Sequence, residues 1–298
     1  MDIRAVLQKE FQLSKTQVNN VIDLIDAGNT IPFIARYRKE MTGSLNDQVL
    51  REINDRYSYL KNLEARKQDV YRLIEEQGKI TEEISASIEA ALTLQEIEDI
   101  YRPFKPKRRT RAMIAREKGL EPLASLILPG TVSDDDIESK AMEYVDPEKE
   151  LNSVDDVLQG ARDIIAEEIS DDASVRKEIR SIFHNFGIVE SKAKKEEDSV
   201  YRQYYDFREP VKSIVSHRIL AINRGEKEEF LKVDISVPEE KIMSFLFSAY
   251  GITNREKRKH MSAAIEDAYK RLIQPSIERE IRNELTERAE EQAMVVFR

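Results

Sequence analysis

The sequence predicts an all-α protein, an elongated multi-helix scaffold with at most a small β element, and three observations carry that reading. Glycine and proline supply nine residues each among 298, while charged residues reach 35% and hydrophobic ones 40%; a chain so poor in turn residues favours helices. From Ser44 to Gln77 there is neither glycine nor proline. Only one stretch, Leu231 to Val237, alternates apolar and polar residues with the period of a strand. The length allows two compact units or one elongated one.

The elements can be justified in order. Ser14, with Gln17 three residues on, forms a capping box ahead of Val18, Val21, Ile22 and Ile25, and Gly28 closes that helix. A short helix starts near Thr30 and Pro32 and stops before Gly43, with Arg36, Arg38 and Lys39 as its basic face. Val49, Ile53, Tyr57, Leu60, Leu63, Val70 and Ile74 then keep a helical rhythm up to Gly78, a single helix of about 50 Å at 1.5 Å per residue. Thr81 caps a helix carrying Ile84, Ile88 and Leu92, and Thr93 with Glu96 caps one that Pro103 ends. With a further helix near Arg111 to Lys118, residues 81–118 are spaced like a helix-turn-helix, a spacing shared by many all-α proteins that read no DNA.

Residues 133–150 hold eight acids against Lys140 and Lys149. Helices are expected at 153–169 and 171–186, opened by Ser153 and Ser170, with aspartates in the first turns where the helix dipole favours them. Lys192 to Asp198 reads as a solvated connection. The strand at 231–237 needs a partner, and Phe186 to Ala193 is the best internal candidate. From Asn254 onward the chain reads as helix to its end, interrupted only at Pro275, and its last residues are apolar and uncapped. That ending is expected of a fragment of a longer protein, with apolar surface exposed at Ala293, Met294, Val296 and Phe297. The domain boundary is expected near residue 190, with an N-terminal helical domain at 1–190 and a helical connector at 191–298.

Several chemistries lack their residues. There is no cysteine, so disulfides, thiolate zinc sites, iron–sulfur clusters and thiol nucleophiles are excluded, and a reducing cytoplasm is the expected compartment. No window approaches the roughly 18 apolar residues of a membrane span. His184, His217 and His260 are scattered, and neither spacing of a glycine-rich phosphate loop occurs. The Asp134, Asp135, Asp136 triplet reads as a helix start capped by Ser133 rather than a cation site. No enzymatic activity, cofactor or metal is expected.

The outlier is residues 102–118. Arg102, Lys105, Lys107, Arg108, Arg109, Arg111, Arg116 and Lys118 stand against Glu117 alone, a local +7 in a chain of net −9. Pro103 and Pro106 extend the loop around Phe104 and Lys105. Basic side chains interleaved with Tyr101 and Phe104 suit a phosphate backbone and stacked bases, so Lys105, Lys107, Arg108, Arg109, Arg111 and Arg116 are the candidate nucleic-acid contacts, with Arg36, Arg38 and Lys39 as secondary candidates. The competing reading is that the acids of 133–172 neutralise the run within the fold.

Four stretches together resemble the bacterial transcription accessory family called Tex: TIPFIARYRKEMTG at 30–43, IEDIYRPFKPKRRTRAMIAREKGLEPLA at 97–124, YYDFREPVKSIVSHRILAINRGE at 204–226 and RLIQPSIEREIRNELTERAEEQAMVVF at 271–297. Arg102 and Phe104 stand where the family tends to have an apolar residue and a tyrosine, and Val215 where it usually has a proline. The resemblance implies a multi-domain helical scaffold that continues into a ribonuclease-H-like domain, helix-hairpin-helix elements and an OB-fold domain that is the main nucleic-acid binder. It is also similar to the core of a eukaryotic elongation factor with histone-chaperone activity. Two functions follow as expectations: a scaffold part that itself makes non-specific contacts to RNA or DNA, or one that binds only the transcription machinery. The expected partners are nucleic acid and that machinery, with no membrane, in a monomeric chain.

Overall fold

The computed structural model describes residues 2–195 and 197–296, the latter without the side chains of Val295 and Val296. It is predominantly helical with a small antiparallel sheet of three strands, and it divides into two compact units, Met1–Phe104 and Lys105–Arg298. That division falls at 104/105 and not at the expected 190/191, because residues 105–190 share one core with the sheet and the C-terminal helices.

The first unit holds α1 (Ile3–Phe11), α2 (Lys15–Asp26), α3 (Ile31–Tyr37), α4 (Lys39–Thr42), α5 (Asp47–Glu75), α6 (Glu82–Ala90) and α7 (Leu94–Tyr101). The expected capping box is present: Ser14 Oγ accepts from the Gln17 backbone N–H at 3.2 Å, and Gln17 Oε1 accepts from the Ser14 N–H at 3.1 Å. Gly28 takes φ +79° past the end of α2, a left-handed conformation that glycine adopts without strain. α5 runs 29 residues, about 43 Å at 1.5 Å per residue, and buries one stripe from Leu50 to Ile74. Lys67 interrupts that stripe and is itself buried; its ammonium donates to the Glu89 carbonyl at 2.7 Å, satisfying an end carbonyl of α6. Thr81 and Thr93 cap α6 and α7 as their spacing implies, and Glu96 reaches back to accept from the Leu92 N–H at 2.7 Å.

The second unit opens with α8 (Arg111–Glu117), α9 (Glu121–Ile127), α10 (Asp134–Ala141), α11 (Val154–Asp171) and α12 (Ala173–Phe186). The helix-turn-helix-like trio is therefore divided, with α6 and α7 in the first unit and α8 in the second. Ser153 caps α11, but Ser170 caps nothing: it is buried in the last turn of α11, donating to the Glu167 carbonyl at 2.9 Å. The cap of α12 is Asp172, which accepts from the Ser174 and Val175 N–H groups at 2.8 and 3.2 Å. An aspartate two residues on suits a helix N-terminus better than a serine hydroxyl already used within its own helix.

Next come β1 (Ile188–Ala193), β2 (Asp206–Pro210), α13 (Ser216–Lys227) and β3 (Leu231–Ser236). β1 is the central strand, antiparallel to both neighbours, with Val189 opposite Ile235 and Ser191 opposite Val233. Leu231, Val233 and Ile235 are buried while Lys232 and Asp234 are exposed, as the alternation requires. β2 was not legible, since its sequence, DFREP, has one large apolar residue. α14 (Glu239–Ala249) and α15 (Lys259–Asp267) follow. Pro275 does not break the chain direction: a π-helical segment, Ala268–Ile273, precedes α16 (Gln274–Val296), and this wider turn absorbs the hydrogen bond that proline cannot donate. α16 seals the outer edge of β3, with Glu278 accepting from the Ile235 N–H at 2.9 Å and Arg282 donating to the Val233 carbonyl at 3.3 Å. Near its end Met294 is exposed and Ala293 half-buried; the exposure expected at Val296 and Phe297 lies outside the described residues.

Gly187 sets the junction from α12 into β1. A Cβ there would lie 2.3 Å from the Phe183 carbonyl oxygen and 3.0 Å from Val211 Cγ2. Gly187→Ala is expected to force backbone movement and lower stability by about 1–3 kcal/mol, the usual cost of overpacking. A lowered urea midpoint at unchanged slope checks it.

Candidate nucleic-acid interface

The structure sorts the basic run into two sets. Thr110 caps α8, its Oγ1 accepting from the Met113 N–H at 3.1 Å. α8 lies along α11, where Ala112 and Ala115 are buried and Arg116 reaches the acids at the C-terminal end of α11. Arg116 Nη1 donates to Glu167 at 2.8 Å, and its other amine lies 3.4 Å from Glu168. The Lys107 ammonium meets Asp171 and stands 3.7 Å from Glu167. Lys118 pairs with Glu150 at 3.2 Å. Three of the run's cations are thus neutralised by acids of 133–172, as the competing reading expects.

Protonation follows this pairing. Burial draws the Arg116 pKa down, but the hydrogen bond and charge of Glu167 outweigh it and leave it above the ordinary value. Burial pushes Glu167 up, yet Arg116 and Lys107 hold it below the usual carboxylate range. Glu168, next in sequence, ends above that range because burial dominates there. Glu167 is therefore the shared counter-ion of Lys107 and Arg116.

Four other cations of the run are exposed. Lys105, Arg108 and Arg111 are exposed and make no ion pair among the described residues. Arg109 pairs with Glu117 at 2.7 Å, but both side chains are more than half exposed, a geometry worth little in water. Lys105, Arg108, Arg109 and Arg111 thus form a compact set of cations on one loop and the first turn of α8. Among the described residues no three His, Asp or Glu side chains converge to hold a metal. The Asp triplet is spoken for locally: Ser133 caps α10 through Asp136, and Asp134 accepts from the Lys259 N–H at 2.8 Å. His260 is buried, with Nε2 3.3 Å from Glu138, and burial lowers its pKa.

In the first unit, Arg36, Arg38 and Lys39 are exposed on α3 and α4. Arg38 stacks over the Phe33 ring at 5.2 Å. Tyr37, beside them, is 60% exposed. Sequence reasoning missed this ring, because every third or fourth position of a short helix reads as core and Tyr37 falls three after the buried Ile34.

Each of the two helical units thus displays exposed cations of its own. Residues 1–75 match the family described as Tex-like protein N-terminal domain, and residues 133–297 match the one described as Tex central region-like. The chain belongs to the Tex family. It is similar to the "Uncharacterized protein YdcI" of Bacillus subtilis, 46% identical over 99% of this chain and 42% of that one. It is 37% identical to the "Transcriptional accessory protein Tex" of Neisseria gonorrhoeae, over 100% of this chain and 40% of that one. It is 30% identical to the human "S1 RNA-binding domain-containing protein 1", over 99% of this chain and 31% of that one. The chain therefore spans less than half the length of these relatives. No helix among the described residues is long and apolar enough to cross a membrane.

Proposed function

We propose that the chain is the scaffold part of a cytoplasmic transcription accessory protein and that it contacts nucleic acid non-specifically through Lys105, Arg108, Arg109 and Arg111. It has no catalytic role and no cofactor in this reading, and the transcription machinery is its other partner. The observation that carries the proposal is the split of the basic run: Lys107 and Arg116 are tied to Glu167 and Lys118 to Glu150, while Lys105, Arg108 and Arg111 are exposed and make no ion pair among the described residues, and Arg109 has only an exposed pair with Glu117. A net charge of −9 opposes nucleic acid at long range, so an unneutralised cationic loop in this chain is not explained by general solubility. The relatives named as a transcriptional accessory protein and as an RNA-binding-domain protein support the same direction.

The test is a salt titration of binding by the full 298-residue chain to single-stranded RNA and duplex DNA of unrelated sequences. Weak binding without sequence preference is expected, with a log-log salt slope of a few units, since each neutralised phosphate contributes about 0.7–0.9. No binding at tens of millimolar salt would favour a scaffold that touches only proteins.

A further inference from the structure

The α3–α4 segment presents an aromatic ring among cations, on a frame built to hold it still. Asn20 of α2 donates to the Met41 carbonyl at 2.7 Å, and Gln17 donates to the Thr42 carbonyl at 3.3 Å. Thr42 is fully buried, with its hydroxyl toward the Arg38 and Lys39 carbonyls at 3.4 and 3.3 Å. Gly43 turns the chain at φ +67°, and a Cβ there would lie 2.5 Å from the Gln17 amide nitrogen. On this frame Phe33 and Tyr37, one helical turn apart, tilt toward each other at 45° with centroids 5.2 Å apart. The Arg38 guanidinium takes the Phe33 ring, so the ring left open is that of Tyr37, at 60% exposure. Arg36 and Lys39 are exposed and make no ion pair among the described residues, and Glu40 is the lone acid from Ile31 to Gly43.

The contact with Phe33 uses only part of the Tyr37 ring; the rest, at 60% exposure, lies in water beside cations that make no ion pair among the described residues, which excludes a core role. We infer that Tyr37, with Arg36 and Lys39, is a stacking site for an unpaired base of single-stranded nucleic acid. The ring supplies a face to a base, and the two cations supply charge to the phosphates on either side of it. A duplex hides its base faces, so this chemistry selects single strands, whereas the cations around Lys105 take any phosphate backbone. The inference shares with the proposed function the premise of nucleic-acid contact, but it rests on different side chains in the other unit.

The chain has no tryptophan, so Tyr37→Trp places a single indole at the site. In the full chain, its emission is expected to be quenched saturably by a short oligothymidylate at about 50 mM salt, and not by a duplex of equal length. Tyr37→Ala is expected to weaken single-strand binding roughly 5- to 150-fold, the range for loss of one stacked base, with duplex binding unchanged. Arg36→Gln with Lys39→Gln should flatten the single-strand salt slope by about 1.4, two phosphates' worth. If a labelled oligothymidylate binds by anisotropy while indole emission stays constant, this site is overturned and the loop reading stands. Absence of any binding overturns both.

Discussion

Glu280→Ala is expected to destabilise the second unit by about 3–5 kcal/mol, the cost of stripping one partner from a buried ion pair. Arg176 is fully buried on α12, and its guanidinium meets Glu280 of α16, with Ser276 Oγ at 3.0 Å and the Ser170 carbonyl at 3.4 Å. Arg180, one turn along α12, donates to the other Glu280 oxygen at 2.9 Å. The Glu280 carboxylate thus meets two guanidiniums of α12. Removing it takes that carboxylate away from a guanidinium that is fully buried, and part of its desolvation cost is no longer offset. For a unit of nearly two hundred residues each kcal/mol moves the melting temperature by about 2–4 °C, so a fall of roughly 6–20 °C is expected. Glu280→Gln keeps an acceptor and should fall between the wild type and the alanine variant. Thermal melts followed by circular dichroism check the order, and a loss under about 1 kcal/mol for Glu280→Ala would mean that water reaches Arg176 after all.

Local signals were legible where the chemistry is local. The Ser14–Gln17 box, the Thr81 and Thr93 caps, Gly28 and the length of α5 all follow from residues within one or two turns. β3 was readable because its own alternation marks the buried face, and its expected partner, the segment after Phe186, is the strand it pairs with. What failed depends on distant partners. β2 forms because β1 offers it an edge, not because DFREP favours a strand. Pro275 reads as a break only if the turn before it is α-helical, and here it is π-helical. Ser170 resembles a cap until Asp172 is seen to do that work. The division at 104/105 depends on which residues share a core, which no composition shift announces.

The candidate site was half legible. Charge density drew attention to residues 102–118, and the acidic stretch raised neutralisation as the rival account. Neither could be assigned residue by residue, because Lys107 and Arg116 meet acids 51 to 64 positions away on α11. Along the loop Lys107 is half-buried against α11 while Lys105 and Arg108 are exposed, so neutralisation accounts for only some members of one run. Tyr37 carried a usable signal, an aromatic flanked by Arg36 and Arg38 in a helix of seven residues, but only exposure separates a displayed ring from a core one.

That split makes a second large effect expected. Lys105→Ala, Arg108→Ala and Arg111→Ala combined should leave the melting temperature nearly unchanged, because these side chains are exposed and make no ion pair among the described residues. If each holds a phosphate, the salt slope for duplex binding falls by about 2–3 units, equivalent to roughly two to three orders of magnitude in affinity at tens of millimolar salt. Arg116→Ala should behave in the opposite way. Glu167 and Glu168 lose their guanidinium at the end of α11, stability falls, and binding per folded molecule keeps its slope. Arg109 discriminates less, since its pair with Glu117 can open in water. Measuring both variants by melting and by salt titration separates structural from functional cations. A triple variant that melts early but binds with an unaltered slope would put the exposed arginines back among the residues that hold the fold, and the phosphate contacts elsewhere.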